Sequence, residues 1–201
     1  MKRYTKTETV RIVTAAAKDY AEKLCNKCFL LCYENGKEKA FVEFGFQAHN
    51  FKHLTGLECT CSAKQFYERA LDGKLSPDSF EFDRHGNAHR KLAVLPMLPH
   101  IFKSPMLYGA FNNSGLFISA DYFVGNTGKM ISLGMRSAHP YDIPVSLYCE
   151  DIRRLSSKTV RILAIWDKPY KGTYSSHCYA AKDVDAEHLL KIHMGGKEKH
   201  D

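Results

Sequence analysis

Residues 105–135 read PMLYGAFNNSGLFISADYFVGNTGKMISLGM, and this stretch decides the fold class. Upstream, helical spacing of apolar residues dominates outside one hairpin. From Met106 onward the apolar residues come in strand-length runs separated by turn chemistry. Met106–Phe111, Leu116–Phe123 and Met130–Met135 are the first three, joined by Asn113-Ser114-Gly115 and Gly125-Asn126-Thr127-Gly128. Ile143–Tyr148 and Val160–Trp166 continue the pattern beyond a His139-Pro140 turn and a polar Ser156-Ser157 break. Short strands that follow one another with no helix between most of them pair antiparallel.

Working outward, Thr5 and Glu8 form a capping box, and Val10, Val13, Ala17, Tyr20 and Leu24 then recur at helical spacing. Cys28–Tyr33 and Ala40–Gln47 flank Glu34-Asn35-Gly36, a hairpin signal. Ser62 with Gln65 opens a second helix through Leu71, closed by Asp72-Gly73, and Ser76-Pro77-Asp78 marks a turn or a helix start. His89–Leu98 reads as a third helix that Pro96 must kink or divide, because proline lacks the amide the ladder needs. Glu187–His193 predicts a last short helix before a frayed Gly195-Gly196 tail. Helices first and strands afterwards is an α+β pattern: N-terminal helices packed on a twisted antiparallel sheet of about four to six strands. The organisation expected is an N-terminal helix over 1–27, a single α+β domain over 28–181, and a short helix with a tail over 182–201.

Composition narrows the class. Hydrophobic residues at 44% and charged residues at 25% of 201 are globular values, which argues against a disordered chain. No apolar run approaches the roughly 18 residues of a membrane span, and no apolar leader follows Met1-Lys2-Arg3-Tyr4-Thr5. The seven cysteines are an odd number and, without a leader, read as reduced thiols in a cytoplasm. Cys25, Cys28 and Cys32 with Cys59 and Cys61 lack the two regular knuckles of a structural zinc site, so no metal is expected. The net charge of +7 and pI near 9.0 favour a polyanionic partner. Residues 1–27 carry seven Lys/Arg against three Asp/Glu, so the excess is spread over helix and core, with no polybasic tail.

The chemistry concentrates in His49-Asn50-Phe51-Lys52-His53-Leu54-Thr55-Gly56-Leu57. A buried strand has no use for Lys52 and His53 in succession, and a solvated loop has little use for Phe51, Leu54 and Leu57. The segment reads as a chain that leaves a sheet, anchors on Phe51 and Leu54, and presents His53 and Thr55 at a rim. The competing reading is a structural corner whose histidines bond to backbone.

The core Asn50-Phe51-x-His53-Leu54-Thr55-Gly56 is followed by Phe66-Tyr67 on a short helix and by Lys91-Leu92-x-Val94-Leu95. In that order it resembles the phage-associated nuclease-like domains of the barnase–EndoU–colicin–RelE superfamily, over roughly Cys28 to Asp167. The resemblance implies helices on one face of a small twisted sheet, with nucleic acid on the other face. It also implies a bacterial phage or mobile-element context and a metal-independent endoribonuclease with no cofactor. Such an enzyme needs a base for the ribose 2′-hydroxyl, an acid for the leaving 5′-oxygen, and a cation for the charge on phosphorus. His53 is the acid–base candidate, with Thr55, Lys91 and Ser146 completing the catalytic set and Lys52 and Arg90 contacting nucleic acid. RNA is the expected partner and DNA is possible. The alternatives are a non-catalytic mobile-element protein that binds and inhibits a host or defence protein, and a nucleic-acid-binding module without activity.

Other features have ordinary readings. Gly125-Asn126-Thr127-Gly128-Lys129-Met130 lacks the spacing and the hydroxyl of a P-loop and is a β-turn. Cys149, Cys178 and His177 are not paired by anything in the sequence. Tyr108, Phe111, Phe117, Tyr122 and Phe123 could stack bases but equally fill a core.

Overall fold

The computed structural model describes residues 2–111 and 120–197. Phe117, the Asn113-Ser114-Gly115 turn and the first half of the strand expected at Leu116–Phe123 lie outside the described residues. Helix α1 (Lys6–Lys23) starts at Thr5, whose hydroxyl accepts from the Glu8 N–H at 3.1 Å while the Glu8 carboxylate accepts from the Thr5 N–H at 2.8 Å. Val13, Ala16, Ala17 and Tyr20 form its buried stripe. Strands β1 (Lys27–Asn35) and β2 (Glu38–Phe46) make the expected hairpin. Its two-residue loop is Gly36-Lys37, one position later than Asn35-Gly36 suggests, and Gly36 carries the positive φ of +66°.

Five helical pieces follow. Helices α2 (Asn50–Thr55) and α3 (Ala63–Leu71), a 3₁₀ turn at Pro77–Ser79 and helix α4 (Asn87–Val94) lead into a 3₁₀ stretch over Leu95–Lys103. Pro96 therefore divides the expected third helix: regular α-geometry ends at Val94. Two short strands, β3 (Leu57–Glu58) and β4 (Glu81–Phe82), pair with each other beside this layer.

The remaining strands are β5 (Leu107–Phe111), β6 (Tyr122–Gly125), β7 (Ser132–Arg136), β8 (Ile143–Tyr148), β9 (Ser156–Pro169) and β10 (His177–Ala180). All pair antiparallel in one eight-stranded sheet of order β2-β1-β9-β5-β6-β7-β8, with β10 also on β9. The sheet is wider than four to six strands for a definite reason. At 14 residues, β9 is long enough to pair with β5 along Ser156–Arg161 and with β1 along Ile162–Pro169. It thereby joins the early hairpin to the later meander, and Ser156-Ser157 begins the strand instead of breaking it. The sheet also curls. The Gly45 N–H donates to the Asp142 carbonyl at 2.9 Å and the Asp142 N–H to the Glu43 carbonyl at 3.1 Å, so the entry to β8 reaches back to β2.

The main core lies between the concave face and the helical layer. Phe102 of the 3₁₀ stretch has its ring centroid 4.5 Å from that of Phe29, 5.6 Å from Phe44 and 5.9 Å from Phe46. Burying one such ring is worth on the order of 1.5–3 kcal/mol. The other face is not bare, unlike the picture drawn from the resemblance. Helix α6 (Ala186–Lys197) covers Leu30 and Trp166 through Ala186 and Leu189. Helix α5 (Ile152–Leu155) packs on Phe123. Among the described residues, no helix is long and apolar enough to cross a membrane.

Candidate active site

Helix α2 is held by its apolar positions together with buried Asn50 and Thr55, and it leaves His53 outward. Phe51 and Leu54 are fully buried, three residues apart on one face. The Phe51 ring centroid lies 5.1 Å from that of Tyr20 and 5.4 Å from that of Tyr67. Asn50 is buried too, and its Oδ1 accepts from the Gln47 N–H at 2.7 Å. These anchors leave His49 and His53 exposed, four residues apart and hence on adjacent turns of one side.

The helix then ends abruptly. Gly56 adopts φ +71°, the left-handed conformation that glycine tolerates best. A Cβ there would come within 2.9 Å of Lys91 Cδ and 3.1 Å of Ala88 Cα, so α4 packs directly on the turn. The last carbonyls of α2 need donors. The Thr55 hydroxyl donates to the Lys52 carbonyl at 2.7 Å and accepts from the Leu57 N–H at 3.2 Å. Lys91 Nζ donates to the His53 carbonyl at 2.9 Å.

Electrostatics at this turn are cationic. The His53 pKa is lowered from its ordinary 6.5, first by partial desolvation and then by Lys52, Lys91, His49 and Arg136. Burial also lowers the Lys91 pKa, and Asp83 opposes that shift. Asp83 in turn organises α4: its carboxylate accepts from the Ala88 N–H at 2.7 Å, the Asn87 N–H at 3.0 Å and the His85 N–H at 3.1 Å. Burial works against the Asp83 charge, but those backbone bonds prevail and hold its carboxyl below the ordinary value. Beside the start of α4, Arg3, Asp83, Arg84, His85, Gly86 and His89 line a polar cleft of about 230 Å³.

A family model described as phage-Barnase-EndoU-ColicinE5/D-RelE like nuclease4 matches residues 12–182. The chain belongs to this nuclease-like family. No curated protein and no solved structure matches it.

Within the nuclease-like domain the expected site residues separate into groups. His53 and Lys91 come together at the α2–α4 contact, with Thr55 beneath them. Thr55 is fully buried and both roles of its hydroxyl are taken up in shaping the turn. Lys52 is half-buried and donates to the Cys59 carbonyl at 3.1 Å and the Cys61 carbonyl at 3.4 Å. Arg90 is exposed on α4 next to Lys91. Ser146 is not brought to His53. It pairs with Gly134, and a Cβ at Gly134 would meet Tyr148, Ala120 and Phe123. Leu147 instead joins the core that holds Phe51 and Leu54, so Ser146 lies on the other face of β8. Among the described residues, no group of three or more His, Cys, Asp or Glu is arranged to hold a metal ion.

Three contributors escaped the sequence reading. His49 was within the quoted segment, and its four-residue separation from His53 becomes meaningful once α2 is a helix. Asp83 carried a readable signal, an acidic residue shortly before a helix start. Arg136, at the end of β7, reaches the site only through tertiary folding and left no local trace.

Proposed function

We propose that this nuclease-like domain is a metal-independent endoribonuclease whose acid–base group is His53. The observation that carries the reading is a rim imidazole beside Lys91 and Lys52, whose pKa is lowered first by partial desolvation and then by the surrounding cations. At neutral pH such a ring is uncharged and ready to accept a proton, while the cations favour a phosphodiester beside it. His53 takes the proton of the ribose 2′-hydroxyl as that oxygen attacks phosphorus. His49, one helical turn away, supplies the proton for the leaving 5′-oxygen. Lys91 uses one of its three N–H bonds on the His53 carbonyl and has two left for phosphate oxygens. Thr55 and Gly56 hold the turn that sets the distance between α2 and α4.

The products identify the chemistry. Attack by the 2′-hydroxyl leaves a 2′,3′-cyclic phosphate and a free 5′-hydroxyl. The test is incubation of the purified chain, in excess chelator, with RNA oligonucleotides and with the same sequences carrying 2′-deoxyribose. Cleavage of the ribose strands alone, with cyclic phosphate ends, supports the proposal. Cleavage that chelator abolishes, or equal cleavage of both strands, contradicts it. Absence of cleavage across a broad panel leaves the basic surface to binding of nucleic acid or of a protein partner.

A further inference from the structure

Cys59 and Cys61 lie one residue apart in the loop between β3 and α3, and their Sγ atoms are 3.1 Å apart. Both thiols are partly exposed, unlike Cys28 and Cys32, which are buried in the sheet. The loop is held in this shape from α2, because Lys52 Nζ donates to the carbonyls of both cysteines. A free cysteine ordinarily behaves as a small buried hydrophobe. Cys59 and Cys61 pack partly against the main core, but contact between their sulfurs across one residue, at a partly exposed position, goes beyond that role.

We propose that Cys59 and Cys61 form a dithiol modification site, which closes to an intramolecular disulfide by exchange with a small disulfide of the glutathione type. The Cys59 thiolate attacks one sulfur of that disulfide, forming a mixed disulfide and releasing one small thiolate. The Cys61 thiolate then attacks the Cys59 sulfur and expels the second. Overall, two protein thiols and one small disulfide become one protein disulfide and two small thiols. Closing the bond brings the sulfurs about 1 Å nearer, to a length of roughly 2.05 Å.

Contact between the two sulfurs at 3.1 Å lets the second displace the small thiol whichever of them attacks first. Partial burial raises the Cys61 pKa, and the hydrogen bond with Cys59 raises it further. Three competing thiols are disfavoured, since burial pushes Cys28 and Cys32 up to about 11 and Cys178 up to about 12; Cys149 is exposed, so the readout is taken on the peptide that holds Cys59 and Cys61. A ring closed over a single intervening residue is strained, and strained exposed disulfides are the readily reduced ones. The site is therefore reversible.

The test is independent of RNA cleavage. The full chain is equilibrated in glutathione buffers of graded oxidised-to-reduced ratio, acid-quenched, denatured, alkylated with N-ethylmaleimide and weighed intact. On oxidation Cys59 and Cys61 of the wild type are expected to lose their two labels, out of seven in the chain, with no glutathione mass on either sulfur, and to recover both with dithiothreitol. The tryptic peptide from His53 to Lys64 should carry the missing pair. Cys61→Ser should instead retain a glutathione adduct on Cys59, because nothing resolves it. Seven labels at every ratio, a stable adduct on Cys59 of the wild type, or two labels lost from Cys61→Ser would each overturn the proposal. Circular dichroism of both forms confirms that the comparison is between folded chains.

Discussion

At the scale of single residues, Gly56 and His53 carry separable tests. Gly56 combines φ +71° with contacts from Ala88 and Lys91, whereas Gly36 has φ +66° and nothing within 4 Å of a built Cβ. Gly36→Ala should cost only the left-handed backbone penalty, about 1–2 kcal/mol. Gly56→Ala should cost more, because α4 must also move; urea unfolding of the two variants measures the difference. Equal losses would mean that the α2–α4 contact yields without cost. For His53 the folded pKa lies below the ordinary 6.5. Between that lowered value and 6.5 the unfolded chain binds more protons than the folded one, so stability rises with pH in this window. The contribution is present above the unfolded value and lost as pH falls through the folded one. His53→Gln should therefore lose less thermal stability than wild type on acidification from about pH 7.5 to 5. Superimposable pH profiles would show that the ring is not perturbed.

At the scale of elements, Asp83 is to α4 what Thr5 is to α1. Removing it with Asp83→Ala leaves three backbone N–H groups without their acceptor and should cost about 1–2 kcal/mol. Its folded pKa is lowered, so its stabilisation is present above the ordinary carboxylate range and fades as pH falls through the folded value. Because α4 carries Lys91, the variant should also lose RNA cleavage at neutral pH while α1 and the sheet persist. Full cleavage by Asp83→Ala would separate α4 placement from function. Local signals explain which elements were legible. The capping boxes at Thr5 and Ser62 are written in side chains three residues apart, and the hairpin is written at Asn35-Gly36. The span of β9 was not legible, since Ser156-Ser157 reads polar and its partners, β5 and β1, are far apart in sequence. Helix α5 was missed because its four residues give no period to detect. The site followed the same division: His53 stood out in a short motif, Lys91 came with the resemblance, and Arg136 depended on how the sheet curls.

At the scale of the whole molecule, the basic excess and the two-sided covering of the sheet bear on where the proposed RNA substrate would lie. Helices α5 and α6 occupy much of the face opposite the main core, so the expected binding surface is the rim where α2, α4 and the end of β7 meet. With a net charge of +7, RNA affinity should fall steeply as salt rises. Arg90→Ala should flatten that slope by about one phosphate contact. An unchanged slope would move the RNA path away from α4. The most direct measurement of the central claim is single-turnover RNA cleavage by wild type and His53→Ala in chelator, with RNA binding and the unfolding curve measured on the same samples. His53→Ala should bind RNA and fold normally while its rate falls on the order of 10²-fold or more. A folded, RNA-binding His53→Ala that cleaves at the wild-type rate would contradict the claim.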